Sequence, residues 1–325
     1  MKHRTLILSV ALVTLAACDQ PYNSPITGPK VDPGQAAPAQ APTWRVPGDF
    51  ATIQDAVDSP DVQDGDQIIL AGGSHTGVVL TRSLHFTGIG GASIDGGPMH
   101  PAGLSQGFRL QAGSDGSSFE NLVFTTDLAI FNSVDGVDDV MVAHNTFLNA
   151  IQAVSAWRGD GWNIHHNNIV DLRTSCGGGI GILLGDYNGG IVQDNVVANN
   201  KFTGTLHVSA GDCGGYSGTG IVVYADFRWG RLGATEIKNN QIVNNSVAMS
   251  SDNASLVDMI AVELTDTRDD QLLGPTTIFE NAIGFNDFRG TVNQIVLTPS
   301  TLDGVNTISR NLGDSRGRGS HPSVF

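Results

Sequence analysis

Short apolar runs alternate with turn residues along most of the chain, from Trp44 to the region of Asn311. Segments such as "GDQIILAGG", "GFRLQAG" and "ATEIKNNQIV" are bounded by Gly, Asn or Asp, which is typical of short strands separated by tight turns. Only "FATIQDAVDS" at 50–59 has helical spacing, which places Ile53, Ala56 and Val57 on one face. The pattern therefore predicts an all-β chain with one short helix near its start.

An asparagine precedes a short apolar pair in segment after segment. The repeated residues follow one another at unequal intervals, and they are Asn121, Asn145, Asn167, Asn195, Asn240, Asn281 and Asn311. The shortest intervals match one coil of a β-solenoid, and the longer ones match one coil plus a loop, or two coils. Asparagine tolerates the left-handed conformation, and stacked amides can bond from coil to coil. The pair Asn239 and Asn240 is therefore predicted to belong to a turn ladder.

A second repeat consists of three apolar segments, each of which ends in an aspartate. The segments "GILLGD", "IVVYAD" and "AVELTD" end at Asp186, Asp226 and Asp266, which are evenly spaced along the chain. The equal spacing predicts that these carboxylates lie near one edge of the solenoid, on consecutive or alternate coils.

Residues 46–97, which include "VPGDFATIQDAV" and "GDQIILAGG", resemble the opening of proteins of the pectin lyase-like superfamily. In that superfamily a "TIQ-A" helix caps the N-terminal end, and a "GD-I-L-GG" strand begins the first coil. The resemblance covers residues 44–315 and implies a right-handed parallel β-helix (solenoid) with a short N-terminal capping helix. It implies no single activity, because the superfamily includes lyases, hydrolases, esterases and adhesins.

The motifs of the well-marked catalytic branches are missing. Pectate lyases carry a "V-W-I-D-H" strand whose Asp binds calcium, and the similar segment here is "DGVDDVMVAHNTF" at 136–148. Ala143 stands at the position of that Asp, whereas His144 matches the His. The polygalacturonase set "NTD", "DD" and "GHG" is incomplete, and no methylesterase pattern is found.

The N-terminus reads as an export signal. Basic residues, an apolar stretch and "LAAC" resemble a bacterial lipoprotein signal over residues 1–17, with Cys18 as the lipidated residue. An ordinary secretory signal is the alternative. Residues 18–43 are rich in Pro and Ala and predict an extended tether, and residues 316–325 predict a disordered tail. The expected location is the cell envelope, with a lipid anchor in the membrane, on the periplasmic or cell-surface side.

Two further cysteines, Cys176 and Cys213, remain if Cys18 is lipidated. An exported context favours a disulfide between them, and two buried free thiols are the alternative.

The net charge of the chain is −15, and removing residues 1–17 with Lys2 and Arg4 changes it to −17. Such a charge disfavours nucleic acids, anionic membrane surfaces and anionic polysaccharides, unless a bound cation or a basic cleft intervenes. A monomer is expected.

The candidate catalytic groups are Asp186, Asp226 and Asp266, together with the arginines of "DFR" and "DTR", Arg228 and Arg268. Repulsion between stacked carboxylates raises a pKa or recruits a cation, for which Ca²⁺ is suited. Acids beside guanidinium groups fit a polysaccharide lyase or a glycoside hydrolase. The alternative is ordinary turn chemistry with local ion pairs.

Aromatic side chains in segments after strands are candidates for sugar contact, and they are Trp157, Trp162, Tyr187, Tyr224, Phe227 and Trp229. His144 and His166 occupy equivalent repeat positions and are expected to stack, but a metal site would need a third ligand. These features favour an envelope-tethered lipoprotein that binds polysaccharide, and the acidic and arginine residues extend this prediction to cleavage by a lyase or a hydrolase. A non-catalytic surface scaffold or adhesin is the alternative.

Overall fold

The computed structural model describes residues 41–132, 136–175, 178–187, 189–209, 217–226, 235–266 and 277–314. Within these residues lie an α-helix, α1 (Ile53–Asp58), and a 3-10 turn, η1 (Ser300–Gly304). The strands of the first half are β1 (Thr43–Val46), β2 (Asp66–Leu70), β3 (Gly73–Thr76), β4 (Val79–Leu80), β5 (Leu84–Gly88), β6 (Ala92–Gly96), β7 (Gln106–Leu110), β8 (Ser118–Glu120), β9 (Val123–Phe124), β10 (Leu128–Asn132), β11 (Met141–Ala143), β12 (Thr146–Ala150), β13 (Gln152–Trp157) and β14 (Asn163–His165). The strands of the second half are β15 (Asn168–Arg173), β16 (Ile180–Asp186), β17 (Ile191–Gln193), β18 (Val196–Ala198), β19 (Lys201–His207), β20 (Thr219–Ala225), β21 (Glu236–Lys238), β22 (Gln241–Val243), β23 (Ser246–Ser251), β24 (Ile260–Asp266), β25 (Thr277–Phe279), β26 (Ala282–Gly284), β27 (Asn293–Thr298) and β28 (Thr307–Ser309).

These strands form four parallel sheets that run along the solenoid. Sheet 1 has the order β1-β2-β5-β8-β11-β14-β18-β22-β26-β28, and sheet 2 has the order β27-β24-β20-β16-β13-β10-β7-β4. Sheet 3 has the order β23-β19-β15-β12-β9-β6-β3, and the short sheet 4 has the order β17-β21-β25. Strands that are neighbours in a sheet are therefore separated along the chain by strands of the other sheets.

One coil passes from sheet 1 to sheet 3, then to sheet 2, and back to sheet 1. For example, β11 is followed by β12 and β13, and β14 then pairs in parallel with β11. Parallel crossovers of this kind are right-handed. The predicted right-handed parallel β-helix is confirmed.

Helix α1 caps the first coils as predicted. Its N-terminus is closed by a capping box, in which the Thr52 side chain accepts from the Asp55 backbone and Asp55 accepts from the Thr52 backbone. Ile53, Ala56 and Val57 are buried and join the main core. The helix thus covers apolar surface that a stacked coil covers elsewhere.

Two asparagine ladders run along the solenoid. The ladder that follows sheet 1 consists of Asn145, Asn167, Asn200, Asn245, Asn286 and Asn311. The ladder between sheets 4 and 1 consists of Asn195, Asn240, Asn281 and Asn306. The predicted coil-to-coil amide bonding is confirmed, but the predicted single ladder is wrong, because it merged members of both.

The true intervals each correspond to one coil. Along the first ladder they are 22, 33, 45, 41 and 25 residues. The sequence alignment changed from one ladder to the other between Asn167 and Asn195, so the interval between these two residues is not a coil length. The longest intervals, from Asn200 to Asn245 and on to Asn286, are one coil with a long connection each, not two coils.

The left-handed position is the residue just before a ladder asparagine. Asn239 has φ 56° and is exposed, whereas its neighbour Asn240 is fully buried in the ladder. Asn121 also has φ 56° and is not a ladder member; it occupies the same turn position as His144 and His166 in the following coils. The two asparagines of each pair therefore have different roles, one in backbone conformation and one in hydrogen bonding.

None of the helices within the described residues is long and apolar enough to cross a membrane.

Candidate functional site

The three predicted aspartates end strands of sheet 2, but they are not all in register. Asp186 pairs with Ala225, and Ala225 pairs with Asp266, so Asp226 lies one residue further along its coil. Ile180 pairs with Thr219, and Thr219 pairs with Ile260, so the second of these two coils is longer than the first. The three aspartates therefore lie on consecutive coils at one edge of sheet 2, as predicted, but Asp226 is offset by one residue from the other two. Asp186 and Asp266 are two coils, roughly 10 Å, apart.

Asp186 closes the connection after β16. Its side chain is fully buried, and it accepts hydrogen bonds from the backbone N–H groups of Gly189 and Gly190 at 2.8 and 2.9 Å. The Thr235 hydroxyl also donates to it, and Arg158 Nε lies 3.6 Å from its Oδ1. These contacts tie the Asp186 carboxylate to the connection that follows β16.

The structure shows less of the surroundings of the other predicted catalytic residues. Asp226 is buried and Asp266 is partly exposed. Arg228, Arg268, Phe227, Trp229 and the cysteines Cys18, Cys176 and Cys213 lie outside the described residues. The catalytic role of the aspartates and arginines, the lipidation and the disulfide stay predictions.

Three of the predicted aromatic residues meet on the outer face of sheet 2, and we call Trp157, Tyr187 and Tyr224 the aromatic patch. The Trp157 ring centroid lies 5.2 Å from that of Tyr187 and 6.2 Å from that of Tyr224. Gly185 pairs with both Trp157 and Tyr224, and a Cβ there would lie 3.0 Å from the Trp157 ring. A glycine on the intervening strand therefore gives the tryptophan ring room to reach towards Tyr224.

The aromatic patch is supported from below by outward-facing apolar residues. Trp157 and Tyr224 pack against the buried side chains of Ile180, Leu183 and Val222. All three rings of the patch remain partly exposed. A rigid, half-exposed aromatic surface of this kind offers an apolar body with polar tips to a ligand.

Trp162 is not part of this surface. It is fully buried in the main core, and its indole N–H donates to the Val137 carbonyl at 2.6 Å. Its inclusion among the sugar-contacting candidates is wrong, because sequence position alone could not show that it faces inward.

A small pocket lies beside Tyr224 on the same face. Its volume is about 100 Å³, and it is lined by Ile180, Ser217, Thr219, Val222, Tyr224, Glu263 and Thr265. The Thr219 hydroxyl donates to Glu263 Oε2 at 2.9 Å. The pocket therefore places one carboxyl group next to the aromatic patch.

Burial raises the pKa of the Glu263 carboxyl, and the hydrogen bond from Thr219 only partly offsets this effect. The cause is visible in the register, since Glu263 lies between Val222 and Val296 on the neighbouring coils. The sequence signal for this group is an acid inside the apolar strand "IAVELTD", three residues before Asp266 and therefore of opposite parity to it along the strand.

We expect Glu263→Gln to stabilise the protein at pH 8 by about 1 kcal/mol. A carboxyl whose pKa is raised by folding binds its proton more tightly in the folded state, so wild-type stability falls as pH rises above the ordinary glutamate range. The gain should shrink towards zero at pH 4, where the carboxyl is protonated in both states. Urea unfolding at both pH values measures it, with the exposed Glu280→Gln as control. An equal gain at both pH values would contradict this explanation.

The chain matches no protein-family model, and no curated protein matches it. Among solved structures it is similar to the catalytic domain of a GH87 α-1,3-glucanase in complex with nigerose, with 14% identity, a TM-score of 0.27, and coverage of 86% of this chain and 70% of that one. It is also similar to a pectin methylesterase in complex with a hexasaccharide, with 13% identity, a TM-score of 0.31, and coverage of 89% and 100%. A third similar structure is the pectin methylesterase PemA from Erwinia chrysanthemi, with 13% identity, a TM-score of 0.28, and coverage of 88% and 97%.

The parallel sheets of this chain establish the predicted parallel β-helix fold by themselves. Identities and TM-scores this low carry no argument about its activity or site.

Proposed function

We propose that this protein binds a neutral polysaccharide across the outer face of sheet 2. The observation that carries the proposal is the aromatic patch of Trp157, Tyr187 and Tyr224 beside the Glu263 pocket. Ring faces of this kind stack on the apolar faces of sugars, while nearby hydroxyl and carboxyl groups bond sugar hydroxyls.

The size of the pocket limits how the ligand sits. A volume of about 100 Å³ is well below the roughly 300 Å³ at which enclosed ligand sites begin. The pocket therefore receives one group of a sugar, while the glycan chain lies over the aromatic patch. The net charge of −15 favours a neutral glycan over a uronate polymer.

Electrophoresis through gels that contain single polysaccharides tests this proposal. We expect at least one neutral polysaccharide, among glucans, xylan and mannan, to retard the protein, and the double variant Trp157→Ala/Tyr224→Ala to run freely. Phe285→Asn is the matched control, because Phe285 is an exposed aromatic residue at a turn away from the aromatic patch. Asn244 occupies the same turn position in the preceding coil, so asparagine fits there. Free migration in every gel, or equal retardation of the double variant, would contradict the proposal and favour a scaffold.

One observation favours a second function, glycoside hydrolysis. Glu263 has a raised pKa and lies in the pocket beside the aromatic patch, as a proton-donating acid must. The second carboxylate that such a reaction needs would come from Asp226, which follows β20 two residues after Tyr224. Release of reducing ends that is lost in Glu263→Gln would support hydrolysis, whereas unsaturated uronate absorbance would indicate a lyase. Binding without either signal would leave a binding protein.

The protein would act at the cell envelope, held by lipid on Cys18 and by the tether at 18–43. Replacement of Cys18 by Ser should then release it from the membrane fraction.

A further inference from the structure

Three histidines converge where two neighbouring coils turn at the end of their sheet 1 strands. His144 follows β11 and His166 follows β14, and both adopt the left-handed conformation, with φ 58° and 56°. Their rings stack with centroids 5.1 Å apart and an interplanar angle of 23°. The stacking expected from their equivalent repeat positions is confirmed.

The third imidazole is that of His165, the last residue of β14. Its ring is nearly perpendicular to both others, with centroids 5.8 Å from His144 and 5.2 Å from His166. In the neighbouring coils the paired residues are Ala143 and Ala198, whose small side chains leave space around it. His165 also lies just before an asparagine turn in the sequence, but it is not predicted as a third ligand there, because consecutive residues normally point to opposite faces of a strand. The left-handed turn at His166 brings the two rings back together.

The nitrogen atoms are spaced as ligands of one ion. One ring nitrogen from each histidine lies within 4.8 Å of the others, and the Nδ1 atoms of His165 and His166 are 3.0 Å apart. Zinc–nitrogen bonds of about 2.0–2.1 Å in a tetrahedral site place ligand nitrogens roughly 3.3 Å from each other. Small side-chain rotations would therefore bring the three nitrogens to one metal ion.

We propose that His144, His165 and His166 form a binding site for a divalent transition-metal ion of the zinc class. Imidazole nitrogen suits Zn²⁺, Ni²⁺ and Cu²⁺, whereas Ca²⁺ and Mg²⁺ prefer oxygen ligands. His144 and His166 are exposed and His165 is partly exposed, so solvent or an external ligand completes the coordination. Three protein ligands with an open position distinguish this arrangement from a closed structural zinc site.

This site is separate from the proposed polysaccharide site. It lies on sheet 1, whereas the aromatic patch and the Glu263 pocket lie on sheet 2. In the described part of the chain, it is the one group of three His, Cys, Asp or Glu side chains close enough to share an ion.

The chain itself supplies substitutions that remove each ligand and keep the fold. Asn121 and Asn199 occupy the turn position of His144 and His166 in neighbouring coils, which suggests the variants His144→Asn and His166→Asn. The alanines that flank His165 suggest His165→Ala. The control is His85→Ala on strand β5, since His85 lies on the same sheet and bonds Ser118 at 2.9 Å.

Calorimetric titration of the untagged, chelator-treated full chain with Zn²⁺ tests the site. We expect one high-affinity ion that the His85→Ala variant retains, and loss of about tenfold or more in affinity for each variant of the three histidines. Ca²⁺ should not compete. Electron paramagnetic resonance of the Cu²⁺-loaded wild type should show imidazole nitrogen ligands, a readout that needs no variant. Absence of Zn²⁺ binding, unchanged affinity in the variant that combines His144→Asn, His165→Ala and His166→Asn, or a copper spectrum without imidazole nitrogen would each overturn the proposal.

Discussion

Replacement of Asn240 by alanine is expected to lower the free energy of unfolding by about 3–5 kcal/mol. The Asn240 side chain is fully buried, and its Oδ1 accepts from the backbone N–H and the side-chain amide of Asn195 at 3.1 and 2.8 Å. Its Nδ2 donates to the Val192 carbonyl at 3.1 Å and to Asn281 Oδ1 at 2.8 Å. Alanine removes the Asn240 partner of the Asn195 backbone N–H, the Asn195 side-chain amide and the Val192 carbonyl, whereas Asn281 Oδ1 keeps the Asn240 backbone N–H.

The adjacent asparagine provides the control for this prediction. Asn239 is exposed with φ 56°, so Asn239→Gly retains the left-handed turn and should change stability by no more than about 0.5 kcal/mol. Urea unfolding of both variants measures the difference. Losses of similar size from the two substitutions would show that the ladder amide is not what stabilises this turn.

Replacement of Tyr224 by alanine is expected to weaken binding of the neutral polysaccharide that retards the protein in gels by about 30-fold, which corresponds to roughly 2 kcal/mol of binding free energy. Tyr224 belongs to the aromatic patch through its contact with Trp157, and it also lines the Glu263 pocket. It therefore contacts both the sugar that stacks and the group that enters the pocket. Calorimetry with an oligosaccharide fragment measures the loss.

Tyr224→Phe separates the ring from its hydroxyl. Because it keeps the stacking surface, it should lose no more than a few-fold in affinity, the effect of one solvent-accessible hydrogen bond. If Tyr224→Phe were as weak as Tyr224→Ala, the hydroxyl rather than the ring would carry the contact.

The sequence was sufficient for the class of fold. Alternating short strands, the capping helix at 50–59 and the repeated asparagines all have local causes, which are hydrophobic periodicity, a capping box and turn conformation. These causes act within a few residues and can be recognised without knowing which coil lies next to which.

Register between coils could not be predicted in the same way. Asp186, Asp226 and Asp266 are evenly spaced along the chain, yet the coils between them differ in length, which moves Asp226 out of register. The two asparagine ladders were merged for the same reason, since connections of unequal length hide the offset between Asn195 and Asn200. Pairing between coils depends on three-dimensional packing, and one insertion shifts every later alignment.

The site depends on the same non-local information. The approach of Trp157 to Tyr224 requires Gly185 on the strand between them, and the raised pKa of Glu263 requires the valines on neighbouring coils. The prediction that Trp157, Tyr187 and Tyr224 contact sugar identified residues that do come together, but a lone glutamate in a strand gave no sign of its pocket. The sequence does not show which side chains are buried by residues that are distant along the chain.

The most direct test of polysaccharide binding on sheet 2 is intrinsic tryptophan fluorescence during titration with the oligosaccharide that binds. Trp157 lies in the aromatic patch, whereas Trp162 is fully buried in the core. We expect a ligand-dependent change in the wild type that disappears in Trp157→Phe, while calorimetry shows that this variant, which keeps an aromatic ring, still binds. A change that persists in Trp157→Phe would place the ligand elsewhere and contradict the proposal.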